Sequence, residues 1–152
     1  MNLELLLLTL VVILFLIVVV MDLLSSRFFK KHENDYNHLL SEYRRKGYDL
    51  DLVTNYASFF GSFANYQKII WFIRLRKGVK MKFTNVRYVQ SEAYEYIRNL
   101  PDGEFDWMLK LHRYYIIQAC VFTLWIVIGL IFISYIEWFF SIRFSVGLVI
   151  ST

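Results

Sequence analysis

Charge is missing from two long stretches of this 152-residue chain, and acid is missing from a third. Residues 5–21 (LLLLTLVVILFLIVVVM) and residues 116–136 hold no charged side chain. At about 1.5 Å rise per residue these runs make helices of about 26 and 32 Å, against a hydrocarbon core of about 30 Å. Lipid offers backbone amides no partner, so such runs cross as helices. With no ionisable group in either run, nothing marks an ion or proton path. The polar groups there are Thr9, Gln118, Thr123 and Ser134. Gln118 is expected to hydrogen-bond across to the neighbouring helix.

Other scarcities exclude whole classes of chemistry. The one cysteine, Cys120, rules out an intramolecular disulfide and reads as a small packing residue of the second run. His32, His38 and His112 have no metal-ligand spacing, and no Ser/His/Asp or Cys/His set appears. Gly61, Gly78 and Gly103 belong to no phosphate-cradling loop. Asp102, Glu104 and Asp106 cluster where a helix should start, which suits a cap and a helix dipole better than paired catalytic carboxylates. No catalytic, cofactor-binding or metal residue is expected.

What is present fixes an architecture. The fold class is an all-α membrane protein with two transmembrane helices and a helical loop domain between them. The divisions fall at 3–24 for the first span, 25–113 for the loop domain, 114–137 for the second span and 138–152 for an aromatic and apolar tail. The first span carries Glu4 where a cleavable signal needs positive charge, and no small-residue cleavage site follows it, so it is expected to persist as an anchor. Sixteen of the seventeen Lys and Arg residues lie between Arg27 and Arg113. The positive-inside rule therefore places the loop in the cytoplasm and both termini outside.

Along the loop the pattern is of short helices. Residues 35–46 place Tyr36, Leu39, Leu40 and Tyr43 on one face, with Asp35 as cap and Gly47 as stop. Residues 66–77 read as helix up to Gly78, and 79–83 alternate as an extended connector. Thr84 or Asn85 is expected to cap an amphipathic helix with Val86, Val89, Ala93, Tyr96, Ile97 and Leu100 on its apolar face, ended by Pro101. From Asp102 one unbroken helix is expected to run to about Phe140, and the tail beyond to lie along the interface or on a partner.

Between residues 52 and 91 there is no acid, while Lys68, Arg74, Arg76, Lys77, Lys80, Lys82 and Arg87 give a formal charge of +7. Interleaved with Trp71 and other large apolar side chains, these eight residues are the candidate contact set for an anionic inner leaflet or a protein partner. The plainer alternative is a small apolar core surrounded by solvated charge. Nucleic acid is not expected.

Two segments carry a family resemblance. One is Lys68-Ile69-Ile70-Trp71-Phe72-Ile73, a basic–aliphatic–Trp–aromatic–Ile pattern. The other is Asp102-Gly103-Glu104-Phe105, followed by Arg113-Tyr114-Tyr115-Ile116-Ile117 leading into the span. The order of elements and these segments resemble the universal stress protein B family of small bacterial inner-membrane proteins. The resemblance implies a stress-linked integral protein of the bacterial inner membrane, with no catalytic residues to carry over. The reading is of a non-enzymatic accessory or interaction protein, contacting lipid, a membrane-protein partner or further copies of itself. An oligomeric pore-forming effector is the alternative, and its uniformly apolar first helix argues against an aqueous pore.

Overall fold

The computed structural model describes residues 3–57, 60, 64–83 and 87–150, with the side chains of 139–150 excepted. The chain is 83% helical. Among the described residues six α-helices follow one another: α1 (Leu3–Lys31), α2 (Glu33–Arg45), α3 (Leu52–Ala57), α4 (Asn65–Arg76), α5 (Ser91–Arg98) and α6 (Asp102–Ile150). Among the described residues the only extended pairing is an isolated antiparallel bridge between Lys82 and Tyr88. The chain divides into two compact units, Met1–Asp22 with Ile117–Thr152, and Leu23–Ile116.

The first unit contains the apolar parts of α1 and α6. Their most apolar stretches have mean hydropathies of 3.3 and 2.6, and none of either stretch is buried within the protein. A soluble protein's core helix would be covered by its own chain, whereas here Leu5, Leu16, Ile117 and Leu130 are bare. Burying that surface requires lipid or further protein. Thr9 and Thr123 return their hydroxyl protons to Leu5 O (2.7 Å) and Ala119 O (2.9 Å), one turn back. The bond between the two helices comes from Trp125, whose Nε1 donates to Val11 O at 3.1 Å with its ring 5.8 Å from Phe15. Gln118, expected in that role, leaves Oε1 without a partner. Cys120 is exposed rather than packed.

The second unit is built around α4. Ile69, Phe72, Ile73 and Leu75 are inaccessible, and Tyr36, Leu40 and Tyr43 of α2 close over them at the expected helical spacing. The α2 helix begins two residues earlier than the pattern predicts, at Glu33. Asp35 is not its cap, because that carboxylate accepts from His32 Nδ1 at 3.1 Å from inside the first turn. The α4 helix stops as expected at Gly78, which adopts φ +69° and passes so close to Arg98 that a Cβ would lie 2.0 Å from its Nη2. The backbone angle calls for glycine there, whereas the Arg98 side chain could swing away from a Cβ.

After α4 the chain doubles back. Val89 N donates to Met81 O and Phe83 N to Arg87 O, a two-stranded turn that holds Val89 in the core by extended pairing. The amphipathic helix expected from residue 86 therefore starts only at Ser91, after Gln90 at ψ 139°. The caps proposed at Thr84 or Asn85 lie outside the described residues. The last helix is continuous, as the absence of any breaker after Pro101 predicts, and extends through the tail to Ile150. Asp102 does not cap it. Its carboxylate is taken by Arg76.

Candidate functional site

The acid-free stretch separates into side chains that hold the domain together and side chains left on its surface. Lys68 and Trp71 belong to the first group. Lys68 is 6% exposed, with Nζ 3.4 Å from Asn65 Oδ1 and 5.0 Å from the centre of the Phe29 ring. Burial lowers its pKa, partly offset by the charge of Glu33. Trp71 is 5% exposed and donates its indole proton to Tyr43 Oη at 3.4 Å. Tyr43 in turn donates to Asp49 O at 2.9 Å, and burial pushes its phenol up to about 12, so it stays a neutral relay between the two elements. Both side chains are thus largely enclosed by the domain.

Arg76 is a structural latch. Its Nη1 donates to the carbonyls of Ile97, Arg98 and Leu100 at 2.7, 2.8 and 2.8 Å. Its Nη2 pairs with Asp102, and the guanidinium lies 5.3 Å over the Phe105 ring. The last carbonyls of a helix have no intrahelical donor, so one cation here closes α5 and fastens it to the start of α6. Arg87 is paired with Asp49, and its guanidinium lies 5.2 Å over the Phe83 ring.

Arg74, Lys77, Lys80 and Lys82 remain exposed, as does the paired Arg87. Three of them, Arg74, Lys80 and Lys82, line one open groove of about 410 Å³ with Asp51, Val53, Gln67 and Ile70, and Trp71 reaches its wall from the core. The groove lies between α4, the doubled-back turn and α3. The sequence pattern assigns no helix to α3, although Asp51 ahead of Leu52 is a usable cap signal. Its Oδ1 accepts from Thr54 N at 3.1 Å. Thr54 and Ala57 face inward, while Leu52, Val53 and Tyr56 are left 69%, 58% and 59% exposed, an apolar ridge beside the cations.

Depth along the domain separates lipid from other occupants. The α4 helix runs antiparallel to α6 within this unit. At one end Arg76 meets Asp102 and Phe105, and at the other Tyr66 packs on His112 and Tyr115 with ring centres 6.0 and 5.3 Å apart. From residue 102 to residue 114, where the second span is read to begin, a helix rises about 18 Å. Arg74 is two residues closer, about 15 Å along the helix from that level. His112, near the other end, has its pKa lowered by burial and secondarily by the charge of Lys77.

Among the described residues no three His, Cys, Asp or Glu side chains gather as metal ligands. No family model, curated protein or solved structure matches this chain. Both short segments noted in the sequence do structural work in the folded domain. Ile69, Trp71, Phe72 and Ile73 are core, Phe105 is core, and Asp102 receives the latch.

Proposed function

We propose that this chain is a non-enzymatic interaction protein of a bacterial inner membrane, stress-linked as its resemblance implies. Its two apolar helices hold a cytoplasmic helical domain that docks an acidic protein partner. The observation that carries the reading is the convergence of Arg74, Lys80 and Lys82 on one groove beside the bare Leu52, Val53 and Tyr56. Apolar anchors rimmed by like charge suit a partner segment that alternates large apolar and acidic residues. Depth favours protein over lipid headgroups at this site. With a Debye length of about 8 Å, the surface potential of an anionic leaflet falls to about one-sixth over about 15 Å.

Two experiments test the parts of this reading. For topology, in a Cys120→Ser background, Ser41→Cys should resist an impermeant thiol reagent in intact cells and react after lysis. Thr152→Cys should label in intact cells, and the opposite pattern would reverse the orientation. For docking, the full-length protein should be captured from native membranes through a C-terminal tag. Charge reversal of Arg74, Lys80 and Lys82 to Glu should cut recovery of its partner at least about tenfold, since each lost contact charge is worth about 1 kcal/mol and reversal adds repulsion. Arg45→Glu, on an exposed part of α2, should leave recovery unchanged. Equal recovery by all three proteins would show that the groove docks nothing.

A further inference from the structure

A second cavity has different chemistry and a different address. Within the Leu23–Ile116 unit, α1 and α6 enclose a cleft of about 290 Å³ lined by Leu24, Ser25, Phe28, Lys110, Leu111 and Tyr114. Ser25 and Leu111 are its floor, 1% and 2% exposed, and Leu24 is a bare wall at 49%. Lys110 is exposed at the rim and makes no salt bridge among the described residues.

The address decides what can enter. Leu24 is the last residue of the first span as read from sequence, and Tyr114 is the first of the second. Lys110, four residues before Tyr114, lies about 6 Å toward the cytoplasm, at headgroup level. An apolar slot therefore opens at the edge of the hydrocarbon, with one uncommitted ammonium on its headgroup side. Lipid is the most concentrated neighbour at that depth, and Arg27, Lys30, Lys31 and Arg113 on the same two helices favour an anionic one. We propose that this cleft is a binding site for one anionic phospholipid, its phosphate on Lys110 and the upper part of an acyl chain against Leu24, Phe28 and Leu111. The site is separate from the basic groove and stands whether or not that groove docks a protein.

The test is native mass spectrometry of the full chain released from detergent, with phosphatidylglycerol and phosphatidylcholine of identical acyl chains. Wild type should retain phosphatidylglycerol in preference, and Lys110→Gln should lower that retention about fivefold, the worth of one headgroup-level cation. Leu24→Trp, which fills the cleft from an exposed position, should lower retention of both lipids. Lys46→Gln, on the far side of the domain's sequence, should behave as wild type. Glycerol phosphate in excess should fail to displace the lipid, because it lacks the chain. Equal retention of the two lipids, an unchanged Lys110→Gln variant, or full displacement by glycerol phosphate would each overturn the assignment. A loss from Lys46→Gln equal to that from Lys110→Gln would reduce it to diffuse charge attraction and overturn it as well.

Discussion

Phe72→Ala should cost the helical domain between the two apolar helices about 4 kcal/mol, within the usual range for deleting a buried Phe ring. Phe72 is wholly inaccessible and is gripped edge-on by Tyr43, with ring centres 5.3 Å apart at 90°, and by Tyr36 at 6.1 Å and 76°. The two tyrosine rings left facing the space, both on α2, cannot collapse into it without moving that helix, so most of the cavity should persist. A domain of this size is stable by about 5–10 kcal/mol, and such a loss removes around half of it. Urea unfolding of the full chain in detergent, followed by tryptophan emission, should show the transition of the domain shifted strongly to lower urea. Trp71 and Trp107, both in this core, report it directly. Leu52→Ala, at an exposed position of α3, should move the transition by less than about 0.5 kcal/mol. If the two variants unfold alike, the aromatic cluster is not the centre of the domain.

The spans and the helix faces were legible in the sequence because each rests on a local repeat. An uncharged run is visible without any tertiary information, and so is the 3.6-residue spacing of Tyr36, Leu40 and Tyr43. The long final helix was legible for the same reason, since Pro101 starts it and no breaker follows. What could not be read was which charges the fold would use internally. Lys68 and Arg87 look no different in the sequence from Lys80 and Lys82. Their roles come from partners such as Phe29 and Asp49, the second of which is 38 residues away. The start of α5 was misplaced because Val89 fits a helical face and an extended pair with Met81 equally well, and the non-local bond decided it. Of the eight, Lys68 and Arg76 are taken up by the fold, and the groove appears only once α3 supplies its apolar side.

Arg76→Met should destabilise the same domain by about 3 kcal/mol, although Arg76 is one of the residues the sequence offers as a contact cation. The exposed partner contributes little of this, because the Asp102 carboxylate is 86% accessible and an ion pair in water is worth at most about 1 kcal/mol. The larger share comes from the carbonyls of Ile97, Arg98 and Leu100, which face a single nitrogen and would lose a charged donor together. Methionine keeps the apolar stem over Phe105, so the variant isolates the loss of the donors from the loss of packing. Asp102→Asn should cost less than about 1 kcal/mol. Arg76→Lys should recover less than half of the deficit, because a single ammonium cannot serve three carbonyls on one side and a carboxylate on the other as the planar fork does. Urea midpoints for the three variants check the order. A contact role gives the reverse signature: Arg76→Met would then weaken partner capture with its unfolding unchanged, and Arg76→Lys, which keeps the charge, would restore capture in full. The two roles are thus separated by stability on one side and charge rescue on the other. The threefold carbonyl contact places Arg76 with the fold, and leaves the proposed recognition to Arg74, Lys80 and Lys82.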